Sequence, residues 1–60
     1  MKLIDILEIT NENIDLEVYG IGGAMIAKYD GRNSIPGSLN NREVVGLDSE
    51  DRVIQVIIDD

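Results

Sequence analysis

Between Ile14 and Gly20 apolar and polar residues alternate strictly: Ile14, Leu16 and Val18 fall on one side of an extended chain, Asp15, Glu17 and Tyr19 on the other. That period of two predicts a half-buried strand. Gly22-Gly23 supplies the positive φ that a two-residue primed turn requires, so residues 24–30 are expected to fold back as the partner strand. In that register Val18 faces Ala27 and Leu16 faces Tyr29 on the inner side, while Glu17 faces Lys28 and Tyr19 faces Ile26 on the outer side. Such pairs contribute a few tenths to about 1 kcal/mol each.

The opening segment, Met1 to Ile9, is read against both periods. As a strand it mixes apolar and charged residues on each face. At about 100° per residue, Leu3, Ile4, Ile6 and Leu7 gather on one arc while Asp5 and Glu8 point away, with Ile9 as the exception. A short helix is predicted, ending near Thr10, where Asn11, Glu12 and Asn13 carry side chains that compete for backbone hydrogen bonds.

Residues 30–41 are punctuated by Asp30-Gly31, Asn33, Pro36, Gly37 and Asn40-Asn41, and read as a long loop. Within it Ser34-Ile35-Pro36 is placed to cap one helical turn that seats Ile35 and Leu39 on the core. Two strands close the chain, Arg42 to Leu47 and Arg52 to Ile58, joined by the acidic turn Asp48-Ser49-Glu50-Asp51, with Gly46 marking a bulge or strand end. The last strand is apolar on both faces, Ile54, Val56 and Ile58 on one and Val53 and Ile57 on the other around Gln55. Such a strand needs cover on both sides, by the helix on one and by a second subunit on the other. With no repeats or linkers, the chain reads as one α+β domain: a short N-terminal helix on a small four-stranded, mostly antiparallel sheet. Its expected core is Leu3, Ile6, Leu7, Leu16, Val18, Ile54, Val56 and Ile58.

Composition narrows the function. The chain has 60 residues with no His, Cys, Trp or Phe, and a net charge of -7. It lacks the side chains that most often do acid–base, nucleophilic and metal chemistry near neutral pH, so no catalytic residue, metal or cofactor is expected. A domain this small buries only roughly 60% of its unfolded surface, and disulfides are excluded, so a homodimer is the expected way to thicken the core. Apolar runs are too short and too interrupted by Asp5 and Glu8 for a membrane span or a secretory signal, which points to a cytoplasmic protein. Twelve acidic residues against five basic ones argue against direct contact with nucleic acid or an anionic membrane. A basic protein surface is the expected partner.

Each candidate site has a plainer reading beside it. Gly20-Ile21-Gly22-Gly23 suggests a phosphate loop, but it lies between two strands without the helix such a loop needs, and a turn is favoured. Asp48, Glu50 and Asp51 offer oxygen ligands for Ca²⁺, yet the spacing is not that of an EF-hand, and a solvated turn is favoured. Paired carboxylates for glycoside chemistry need a cleft that so small a chain cannot wall. Tyr19 with Glu17, Lys28 and Ile26 forms a mixed polar and aromatic patch of the kind interfaces enrich, or else merely covers the open sheet face; the two readings stand level. Arg32, Asn33 and Arg42 flank the loop, and pairing with Asp30 or Glu43 is favoured over a partner. Asp59 and Asp60 are expected to fray. Glu17, Tyr19, Asp48, Glu50 and Asp51 are thus the candidate partner-binding residues.

Mimicry of DNA is the sharper reading of an acidic miniprotein. A globule of this length is roughly 27 Å across, and a duplex that long carries about sixteen charges at one per 1.7 Å. That is more than twice the net charge of one copy, so only partial mimicry is expected.

Ser34-Ile35-Pro36-Gly37-Ser38-Leu39-Asn40-Asn41-Arg42-Glu43-Val44, followed by Val53-Ile54-Gln55-Val56-Ile57-Ile58, resembles small uncharacterised proteins of Gram-positive phages and mobile elements. The similarity runs from a short helix through a hairpin to an Ile-Pro-x-x-Leu loop and an Arg-x-Val strand. The matched positions are turn and core types, so they carry fold and transfer no functional residue. What the resemblance implies is an accessory protein in a bacterial host that binds and inhibits or modulates a host protein, for instance a nucleic-acid-handling defence enzyme. The alternative is a structural or assembly subunit acting by self-association.

Overall fold

A computed structural model describes residues 1–11, 13–30 and 32–60. Glu12 and Gly31, which the sequence places in the turn after the helix and at the head of the middle loop, lie outside the described residues. The elements are α1 (Leu3–Ile9), β1 (Asp15–Tyr19), β2 (Met25–Tyr29), a 3₁₀ turn (Gly37–Leu39), β3 (Val44–Glu50) and β4 (Val53–Ile58). One short helix packs on a four-stranded mixed sheet, mostly antiparallel, which is the expected α+β architecture.

Helix α1 starts where the Asp5 carboxylate accepts the Lys2 backbone N–H at 2.8 Å. Two of its otherwise orphaned donors, the N–H groups of Leu3 and Ile4, reach the carbonyls of Arg42 and Asn40 at 2.9 and 3.0 Å. It stops at Thr10, whose hydroxyl donates back to the Ile6 carbonyl at 2.6 Å. Leu3 and Ile6 are buried while Ile9 is 78% exposed, the exception the periodicity identified. Leu3, Ile6, Leu16, Val18, Val56 and Ile58 form the buried core, each side chain contributing roughly 1.5–3 kcal/mol of burial. Leu7 and Ile54, also expected there, are partly buried against it, as are Ile35 and Leu39 from the middle loop.

The sheet order is β2-β1-β4-β3. β1 and β4 run parallel, in register from Asp15↔Val53 to Tyr19↔Ile57, and the two outer pairs are antiparallel. The double-sided apolar pattern of residues 53–58 therefore belongs to an interior strand whose two edges are both hydrogen-bonded within the chain. Its inner face meets the helix; Ile57 on its outer face is 39% exposed.

Two turns differ from expectation. The hairpin β1–β2 closes through a three-residue loop, Ile21 to Gly23, with the Gly20 N–H bonded to the Ala24 carbonyl and the Gly23 N–H to the Gly20 carbonyl, each at 3.0 Å. Of its glycines Gly23 alone has positive φ, at 91°. That is the geometry of a turn followed by one left-handed residue rather than a primed pair. The longer loop shifts the pairing by one, so Tyr19 faces Met25, not Ile26. A bulge beside Val18 and Tyr19 absorbs the shift, and Val18↔Ala27, Glu17↔Lys28 and Leu16↔Tyr29 pair as expected.

The acidic segment also departs from the expected turn. Asp48, Ser49 and Glu50 are strand residues of β3, paired with Gln55, Ile54 and Val53. The turn itself is Asp51-Arg52, both left-handed with φ of 44° and 67°. A two-residue primed turn twists with the strands, and that match outweighs the absence of glycine here. The irregularity expected at Gly46 is present, as a register shift between Val44 and Gly46.

Candidate functional site

Strand alternation and register together fix what stands on the sheet face away from the helix. Leu16 and Val18 point into the core, so Asp15, Glu17 and Tyr19 stand on the opposite face. Cross-strand partners share a face, which gives three rows. Lys28, Glu17, Gln55 and Asp48 make one; Met25, Tyr19, Ile57 and Gly46 make the next; Asp15, Val53 and Glu50 make the third. Four carboxylates thus share a face with one lysine.

Two hydrogen bonds knit its centre. The Tyr19 hydroxyl donates to Glu17 Oε1 at 2.9 Å, and Gln55 Nε2 donates to the same oxygen at 3.3 Å. Both donors are neutral, so the Glu17 charge is held in place without being cancelled by them. The bond to Glu17 pushes the Tyr19 phenol above its ordinary pKa, with desolvation and the Glu17 charge adding to the shift. Tyr19 stands as a hydrogen-bond donor with an uncharged ring. Ile57 leans over Gly46, where a Cβ would lie 3.1 Å from Ile57 Cδ1.

Tyr19, Gly23, Asp48, Gln55 and Ile57 line a shallow, open depression of about 370 Å³ on this face. Of the sequence candidates, Glu17, Tyr19 and Asp48 come together at or beside it, and Glu50 stands one row away. Asp51 does not join them, because it belongs to the turn beyond the last row. Gln55, Ile57 and Asp15 were missed as site residues. Their signal was present in the alternation of residues 53–58 and 14–20, but it needs the parallel pairing of β1 with β4 to be read.

The remaining charged candidates serve the fold. Asp30 Oδ1 accepts the backbone N–H groups of Arg32 and Asn33 at 3.1 and 3.0 Å, and those bonds hold its carboxyl below the ordinary value. Arg42 pairs with Asp60 at 3.3 Å rather than with Glu43, which meets the N-terminal ammonium at 3.3 Å. The terminal Asp59-Asp60 is tied down rather than frayed: the Asp59 N–H bonds to the Glu43 carbonyl at 3.1 Å, and the Asp60 carbonyl accepts the Ile21 N–H at 3.3 Å. Among the described residues no three carboxylates gather as metal ligands would, and no helix is long and apolar enough to cross a membrane.

Two further depressions flank the helix, one against Leu7, Leu16 and Tyr29, the other against Ile6, Ile54 and Leu47. They are the margins of the core that a helix of 7 residues leaves uncovered. Among the described residues their linings hold no acid or base apart from the Tyr29 phenol, so they offer packing rather than chemistry. Comparison of the chain with protein-family models, with curated proteins and with solved structures finds no match.

Proposed function

We propose that this chain is a small acidic accessory protein, of the phage and mobile-element kind, that docks its open sheet face on a basic surface of a host protein and so inhibits or modulates it. One observation carries the reading: register places Asp15, Glu17, Asp48 and Glu50 on one face with Tyr19 and Ile57, opposite the helix. Acidic groups around an aromatic and an aliphatic residue combine long-range attraction with apolar contact area. A second copy is the weaker partner, since pairing this face with itself brings like charges together.

Proteins that handle nucleic acid present the largest basic surfaces, which makes them the favoured host class. Full mimicry of a duplex is not needed for this. Over the 25 Å long axis of the molecule B-DNA would carry about fifteen charges, far more than this face offers.

The test is capture of partners from bacterial lysate at low and high salt, with wild type and a Glu17→Gln/Asp48→Asn/Glu50→Gln variant. A basic protein retained by wild type, lost at high salt and lost in the variant is the expected result. Recovery of the bait alone, or of partners indifferent to salt and to the variant, would overturn the reading in favour of self-assembly.

A further inference from the structure

We infer that the depression over Tyr19, Gln55, Asp48 and Ile57 is a receptor for one arginine side chain of the partner. The inference rests on the basic-partner reading above and specifies its chemistry. Glu17 on β1 and Asp48 on β3 stand in one row on either side of Gln55, two strand spacings apart, or roughly 10 Å between backbones. A planar cation lying over the Gln55 side chain between them would face a carboxylate on either side. Among the described residues both hydrogen bonds to Glu17 converge on Oε1 and neither comes from a cation, and its cross-strand neighbour Lys28 forms no ion pair with it, so its charge is available to an incoming one.

The next row supplies what distinguishes arginine from lysine. The Tyr19 ring is adjacent to Glu17 on the same face, anchored through its hydroxyl and kept uncharged. A guanidinium can lie flat on such a ring while its edge donates to carboxylates; an ammonium, compact and strongly hydrated, cannot do both. Ile57, leaning over Gly46, gives the aliphatic stem an apolar wall. The depression is open, which suits a side chain delivered by a protein surface rather than a free small molecule.

The experiment titrates the full ¹⁵N-labelled chain with an acetylated, amidated peptide of three Gly-Arg repeats, and with its lysine and citrulline counterparts. The arginine peptide is expected to shift the amide resonances of Tyr19, Asp48, Gln55 and Ile57, and to bind at least roughly threefold more tightly than the lysine peptide. Citrulline, neutral but of the same shape, should leave them unmoved. Tyr19→Leu should erase the preference for arginine over lysine, and Asp48→Asn should weaken the arginine peptide severalfold; both residues lie outside the core, so the spectrum also reports that the fold is intact. Equal binding of the two cationic peptides across the sheet face would overturn the arginine receptor and leave the basic-partner reading standing. Shifts spread over the whole surface, with none concentrated on this face, would overturn both.

Discussion

Tyr19 and Glu17, two residues apart on β1, share a hydrogen bond of 2.9 Å in which the phenol donates and the carboxylate accepts. The bond favours the protonated phenol in the folded state, so the Tyr19 pKa is raised. Whatever it contributes to stability is therefore present below the unfolded phenol value near 10 and is lost as pH rises through the folded one. Glu17→Ala should move the Tyr19 titration, followed by its ring resonances, down toward the ordinary value. An unchanged midpoint would mean that the bond is not populated in solution.

Val56 is fully buried at the centre of the sheet, between Val18 and Leu47 on the neighbouring strands. Val56→Ala should cost roughly 2 kcal/mol from lost burial and the cavity left behind. For a domain whose whole stability is roughly 3–5 kcal/mol that is a large share. Val56→Asp should abolish cooperative thermal unfolding altogether, because a carboxylate there has no partner. Circular dichroism on heating distinguishes the two, and a normal melt for the aspartate variant would refute this core.

The Asp51-Arg52 turn holds two side chains in the left-handed region. A left-handed non-glycine residue costs roughly 1–2 kcal/mol, and glycine returns part of that gain through a looser unfolded chain. Arg52→Gly should raise the melting temperature by about 2–5 °C. A fall would show that the Arg52 stem packs on the sheet.

Asp30 organises the start of the middle loop through the N–H groups of Arg32 and Asn33. Its carboxyl is held below the ordinary range near 4, so the stabilisation is complete above that value and disappears as pH falls through the lowered folded one. Amide shifts of Arg32 and Asn33 should titrate together in that acid range. In Asp30→Ala they should stay flat.

The faces of the strands were legible in the sequence because alternation is a local property: Leu16 and Val18 inward, Glu17 and Tyr19 outward, needs only the period of two. The strand part of the core followed from the same rule, and Leu3 and Ile6 from the helical period. Neighbours were harder. The pattern of residues 53–58 signals cover on both faces; the long-range pairing with β1 and β3 makes the strand an interior one whose inner face lies under the helix, while Ile57 on its outer face stays 39% exposed. Turn geometry was least legible. Glycine at positions 22 and 23 drew the hairpin one residue too tight, and at 51–52 no glycine marks the left-handed pair at all. The candidate face inherits that division. Glu17 and Tyr19 were visible by themselves, while Gln55 and Ile57 become part of it only through the parallel strand.

The parallel pairing of β1 with β4 has a kinetic side. β1 and β2 by themselves make a two-stranded ribbon, which is marginal in water, and the strand that completes their layer comes from the other side of the middle loop. A half-synthesised chain emerging from a ribosome therefore has no stable stopping point. Residues 53–58 act as a keystone: until they slide in between β1 and β3, the carboxylates of the two halves are not assembled into a common surface, so the acidic face is completed in the same step as folding.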